Sequence, residues 1–132
     1  LSEEVSTLLT KRFPKLRIAQ TKAEQEAALQ ECDFCLHGSG PGLVGGAEMR
    51  RWQATGKPYG FGGVTLNDRE IQERELLSNG KFIYCRDTLS LKALKDSGLS
   101  GPLMEFGPDA TFFLDLKNED AAKKFLEEHH LE

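Results

Sequence analysis

Five residues along the middle of this chain carry groups that could do chemistry: His37, Ser39, Gly40, Arg86 and Asp109. Arg86 follows the apolar run Phe82-Ile83-Tyr84-Cys85. A guanidinium at the end of a strand suits bidentate recognition of a carboxylate or a phosphate. A second reading stands beside it, in which Arg86 pairs with Asp87 while Asp87 caps the next helix and Ser90 supports its first turn. His37, beside Ser39, reads as a ligand contact or proton-transfer group, or else as a satisfied structural histidine. Asp109 follows Gly107-Pro108, where it could bind a hydroxyl, act as a base or hold its own turn. No carboxylates are spaced as a catalytic pair and no Ser-His-Asp pattern is present, so the general acid and base stay unassigned.

Gly40, Gly42 and Gly45 spell G-x-G-x-x-G after one apolar run and before a helix. That placement is required of a loop that offers backbone N–H groups to a phosphate. A dinucleotide fingerprint also wants an acidic residue ending the next strand, where Val64-Thr65 stands instead, and Pro41 removes one N–H. A tight turn lining another ligand and a purely structural turn are the competing readings. Cys32 and Cys35 form C-x-x-C, but they lead into Leu36 and not into a helix. Only Cys85 and His37 could complete a metal site, so buried strand cysteines without metal or redox chemistry are expected.

The elements that must position these groups alternate regularly. Apolar residues at helical spacing predict a helix over Ser2 to Phe13, with Ser2 as its cap. Leu16 to Ala19 reads as a short strand. Thr21 with Glu24 is a capping box opening a helix to about Leu29. Phe34 to Leu36 is a strand, and Ala47 to Thr55 a helix stopped by Gly56. Tyr59 to Val64 is a strand whose Gly60, Gly62 and Gly63 leave its edge open to a ligand. A helix capped at Asn67 runs to Asn79-Gly80. Phe82 to Cys85 is a strand, followed by a helix from Asp87 or Thr88 to Gly98. Leu103 to Phe106 and Ala110 to Leu114 are extended, and Asn118 to His129 is an amphipathic helix on Ala121, Ala122, Phe125 and Leu126.

Strands without apolar–polar alternation, separated by helices, predict a parallel sheet covered on both faces. The expected fold is a three-layer α/β/α sandwich, Rossmann-like, with a mostly parallel sheet of about five strands in one domain over residues 1–132. In such sheets ligands bind outside the carboxyl ends of the strands, where His37, Gly63, Arg86 and Asp109 are expected to gather.

The 132 residues are 39% apolar and 29% charged with a formal net charge of −4, an ordinary globular composition without the basic stripe of a nucleic-acid binder. No apolar run reaches the length of a transmembrane segment. Three cysteines argue against a secreted disulfide framework and for a cytoplasmic protein. Leu1 in place of Met suggests a piece cut from a longer protein, and the closing Leu131-Glu132 reads as a cloning scar.

Four segments together resemble the polysaccharide pyruvyl transferase family. Asp33-Phe34-Cys35-Leu36-His37-Gly38-Ser39-Gly40 is similar to its strand running into a glycine-rich loop. Gly56-Lys57-Pro58 and the strand to Gly63 resemble its Gly-Lys-Pro segment. Phe82 to Ser90 resembles its strand ending in Arg-Asp with a Ser three residues on, and Gly107 to Leu114 its Pro-Asp-x-x-Phe signature. The resemblance implies one half of a two-domain, glycosyltransferase-B-like architecture with the active site between domains. It implies transfer of the enolpyruvyl group of phosphoenolpyruvate to two saccharide hydroxyls in bacterial envelope or exopolysaccharide synthesis. Phosphoenolpyruvate is then a donor substrate, and no cofactor is implied. Arg86 matches a motif arginine expected to face the cleft and hold an anion. His37 and Ser39 stand where many members carry glycines. The family's other basic and histidine residues belong to a second half, a C-terminal domain beyond this chain, so these residues alone are expected to be inactive. Two other readings remain: an NAD(P)-binding oxidoreductase domain using Gly40 to Gly45, and a non-catalytic sugar-recognition or scaffold module.

Overall fold

The computed structural model describes residues 3–38, 40–109 and 118–131. Helices α1 (Glu3–Arg12) and α2 (Lys22–Glu31) lead into a sheet in which strands and helices alternate. The strands are β1 (Cys35–His37), β2 (Gly40–Pro41), β3 (Tyr59–Thr65), β4 (Phe82–Cys85) and β5 (Leu103–Phe106). Between them lie α3 (Gly46–Gln53), α4 (Asp68–Ile71), α5 (Arg74–Ser78) and α6 (Thr88–Asp96), and α7 (Glu119–Glu128) follows. Every pairing is parallel and the spatial order is β1-β3-β4-β5, with β2 also on β3. The expected Rossmann-like α/β class, with a five-strand parallel sheet and flanking helices, is what the chain adopts.

Because spatial order follows sequence order, right-handed crossovers carry α3, α4–α5 and α6 to the same face of the sheet. The core lies there: Met49 and Trp52 from α3, Leu76 and Leu77 from α5 and Leu94 from α6 pack with Tyr59, Phe61, Val64, Ile83 and Cys85. Leu29 brings α2 to the margin of this cluster. Cover of the two faces is therefore uneven. On the other face Phe82 folds over Gly60, Leu36 lies against Gly62, and Leu36 and Leu103 stay exposed. A Cβ on Gly60 would stand 2.6 Å from the Phe82 ring. Gly60 and Gly62 thus receive neighbouring side chains and are not open to a ligand.

Several sequence expectations need correction. Leu16 to Ala19 forms no strand; the segment runs beside α2, lining a cleft with Ala27, Ala28 and Cys32. The helix expected from Asn67 to Asn79 is two helices broken at Gln72-Glu73, where Glu73 leaves helical geometry. In one continuous helix Ile71 and Leu76 would point roughly 140° apart, at about 100° per residue. The break lets both reach the core. The apolar positions of α7 bury nothing, with Phe125 and Leu126 exposed. Ser2 and the segment Ala110 to Leu114 lie outside the described residues. No helix among the described residues is long and apolar enough to cross a membrane.

Capping is where sequence and structure agree most closely. Thr21 with Glu24 and Asn67 with Glu70 both form complete capping boxes. The Gly-Lys-Pro segment acts as a cap too. Lys57 Nζ donates to the carbonyls of Leu29, Gln30 and Cys32 at 3.0, 2.9 and 2.9 Å, closing the carboxyl end of α2, and sits 5.4 Å from the Trp52 ring centre. A cation there satisfies orphan carbonyls and complements the helix dipole. Replacing Lys57 by Met should therefore lower unfolding free energy by about 1–2 kcal/mol, read as a lower urea midpoint with an unchanged slope.

Candidate functional site

The carboxyl end of β3 is where the polar groups of this sheet edge meet. β3 and β4 pair with Phe61 opposite Ile83 and Gly62 opposite Tyr84, but Val64, not Gly63, is opposite Cys85. Gly63 is the extra residue of a β-bulge, with φ +67°. The bulge shifts the alternation by one, so Phe61 and Val64 both enter the core and Thr65 faces away from it. Arg86 follows the buried Cys85 and faces the same way as Thr65. Without the extra residue Thr65 would point to the core side.

Arg86 is held on three sides. Its backbone N–H donates to the Val64 carbonyl at 3.0 Å and its Nε donates to Thr65 Oγ1 at 2.8 Å. Its Nη1 meets Asp109 Oδ2 at 2.5 Å, with side-chain exposures of only 27% and 14%. A pair this shielded is worth more than a surface ion pair and costs more to break. Among the described residues Nη2 has no partner. Sequence spacing leaves the Arg86–Asp109 pairing open, because it arises from β4 and β5 lying side by side, with Cys85 opposite Phe106.

Asp87 is the cap of α6, as one reading of the sequence had it. Its carboxylate accepts from Ser90 N at 2.7 Å and Ser90 Oγ at 2.8 Å, and Leu66 N donates to Ser90 Oγ at 2.9 Å. The nearby Thr65 hydroxyl also favours the charged form of Asp87. Arg86 acts on Asp87 only through its nearby charge, and its ion pair goes to Asp109. Burial pushes the Asp87 carboxyl up, but the bonds from Ser90, the Thr65 hydroxyl and the charge of Arg86 outweigh it, holding the group below its ordinary range. The Arg-Asp-x-x-Ser pattern is thus a brace joining the ends of β3 and β4 to α6.

His37 is buried two strands away, its ring 5.6 Å from Phe61. Its Nε2 lies 2.7 Å from the Val44 carbonyl. A carbonyl only accepts, so Nε2 carries a proton and donates it to Val44. Nδ1 is buried without a partner among the described residues. His37 therefore pins the loop before α3, beside an open cleft of about 490 Å³ lined by Gly38, Gly40, Val44 and Glu48. It is not brought into contact with Arg86, and Ser39 lies outside the described residues.

The glycine-rich stretch is less of a loop than its spelling suggests. Cys35 pairs with Tyr59, His37 with Phe61, Gly40 with Val64 and Pro41 with Thr65, all at one offset, so β2 continues β1 along β3. The turn comes only at Gly42, whose N–H is taken by the Thr65 carbonyl at 2.8 Å. A Cβ on Gly42 would meet Glu70 Oε1 at 2.5 Å. A carboxylate over this turn opposes a pyrophosphate and argues against the dinucleotide reading. The cysteines differ from one another: Cys32 is exposed at the cap of α2, Cys35 is half-buried in β1, and burial raises the Cys85 thiol to about 11.

A group whose carboxyl is depressed in the folded state stabilises it fully above its unfolded value, roughly pH 4, and that contribution is lost as pH falls through the folded value. Asp87→Asn, which keeps a capping side chain, should therefore be less stable than wild type at pH 7. It should also lose less stability than wild type between pH 7 and pH 3, as read from urea midpoints at the two pH values.

Among known proteins, the family model described as polysaccharide pyruvyl transferase matches residues 4–130. No curated protein and no solved structure gives a significant match.

Proposed function

The chain belongs to the polysaccharide pyruvyl transferase family, and from that premise we propose that its strand-end edge forms one wall of a site transferring pyruvate from phosphoenolpyruvate to a saccharide. The observation that carries this reading is Arg86: a shielded guanidinium at the carboxyl edge of the sheet, oriented by Thr65 and Asp109, with Nη2 unpartnered among the described residues. Such a fork suits a carboxylate or a phosphate, and phosphoenolpyruvate carries both. In the reaction a proton adds to the methylene carbon and two saccharide hydroxyls add to the central carbon. The bond from that carbon to the phosphate oxygen breaks, giving a pyruvate ketal and inorganic phosphate. Positive charge develops at the central carbon, and a cation holding the leaving phosphate favours its departure. The opposite wall, with the general acid, belongs in this proposal to a second domain of a glycosyltransferase-B-like enzyme working in the cytoplasm of a bacterium. No cofactor takes part.

One observation supports a second reading. Arg86 already spends Nε and Nη1 inside the protein, as it would in a module that recognises sugars or serves as a scaffold without catalysis. The full-length protein, given phosphoenolpyruvate and candidate glycans, should release phosphate. Arg86→Ala should lower that rate by about 100-fold or more, and Arg86→Lys should not restore it, because an ammonium cannot reproduce the fork. No phosphate release from wild type, or an Arg86→Ala protein that is merely less stable and equally active, would leave the scaffold reading in possession.

A further inference from the structure

We infer that Thr65 is the positioning residue for Arg86, its hydroxyl setting the rotation of the guanidinium so that Nη2 is presented to the anion. The inference rests on the proposed function for the identity of that anion, but its geometry is independent of it. Thr65 Oγ1 accepts from Arg86 Nε at 2.8 Å, and the same hydroxyl stands near the Asp87 carboxylate and favours its charged form. A guanidinium can only donate, so the hydroxyl oxygen must offer Arg86 a lone pair and its own proton is turned elsewhere. Arg86 thus donates on two sides, through Nε to Thr65 and through Nη1 to Asp109, so the guanidinium is gripped at two of its three nitrogens.

Two further contacts make Thr65 more than an incidental partner. Its carbonyl accepts from Gly42 N at 2.8 Å, tying the turn of the glycine-rich stretch to the strand that carries the hydroxyl. The Gly63 bulge puts the Thr65 side chain on the face where Arg86 emerges. Asp109 alone grips one end of the guanidinium and would allow the plane to swing about that contact. A second grip at Nε removes the swing, because Nε and Nη1 are fixed relative to each other in the planar fork.

Thr65→Val keeps the branched shape of a strand residue and removes only the hydroxyl; Thr65→Ser keeps the hydroxyl. In full-length wild type the Arg86 Nε–H, assigned by its loss in Arg86→Lys, should give a slowly exchanging ¹⁵N–¹H signal. That protection should vanish in Thr65→Val and return in Thr65→Ser. Phosphoenolpyruvate binding should weaken about tenfold in Thr65→Val and recover in Thr65→Ser, as expected for one lost hydrogen bond to a charged group. The kinetic effect should fall mainly on KM, with melting temperature close to wild type. An Nε–H signal equally protected in Thr65→Val overturns the inference, as does unchanged phosphoenolpyruvate affinity in that variant. A serine variant as impaired as the valine one also overturns it. A protected Nε–H that responds as expected in a wild type that binds no phosphoenolpyruvate instead removes the functional reading and leaves the positioning role standing.

Discussion

A single extra residue in a central strand governs the polar edge of this protein. Gly63 sits in the left-handed region between two strands that otherwise pair residue for residue. Its insertion lets Phe61 and Val64 share the core side, and it turns Thr65 toward Arg86. From that parity follows the grip of Thr65 on the guanidinium. A bulge beside a candidate site acts here as an aiming device. Glycine is suited to the position because a side chain at φ +67° is strained.

The second organising constraint is handedness. A parallel sheet laid down in sequence order, with right-handed crossovers, can place its connecting helices on one face only. The core therefore gathers beneath α3, α5 and α6, and the opposite face is closed by its own strands. Phe82 lies over Gly60, Tyr84 is close against Gly107, and Phe34 stacks on Phe82. The same arrangement brings the strand ends out side by side, which is why Arg86 and Asp109 meet. His37, two strands along, is occupied with the Val44 carbonyl and has a different task, holding the turn before α3.

Much of the fold was legible from local chemistry. The strand Phe82 to Cys85, both capping boxes, the helix capped by Asp87 and the parallel arrangement all follow from apolar runs and cap residues near in sequence. What went astray depended on neighbours. Leu16 to Ala19 has a strand's composition but runs beside α2 and pairs with no strand. The Asn67 helix breaks because Ile71 and Leu76 must both be buried, a demand made by the core and not by helix propensity. Gly40, Gly42 and Gly45 spell a phosphate loop, yet β3 draws the first of them into the sheet and Glu70 closes over the second.

At the site the division is similar. The residue types at strand ends, Arg86 and Asp109 above all, could be read from sequence, because a polar group ending an apolar run in an α/β chain has few places to go. Family membership was legible in the order of four short motifs. Thr65 was passed over as merely a non-acidic residue at a strand end, since nothing local distinguishes a threonine that orients an arginine 21 positions away. The sequence by itself determined which groups reach the edge, because apolar periodicity and caps are local properties. Only the tertiary structure decided which of them touch, because strand adjacency and a one-residue change of parity are set by long-range pairing.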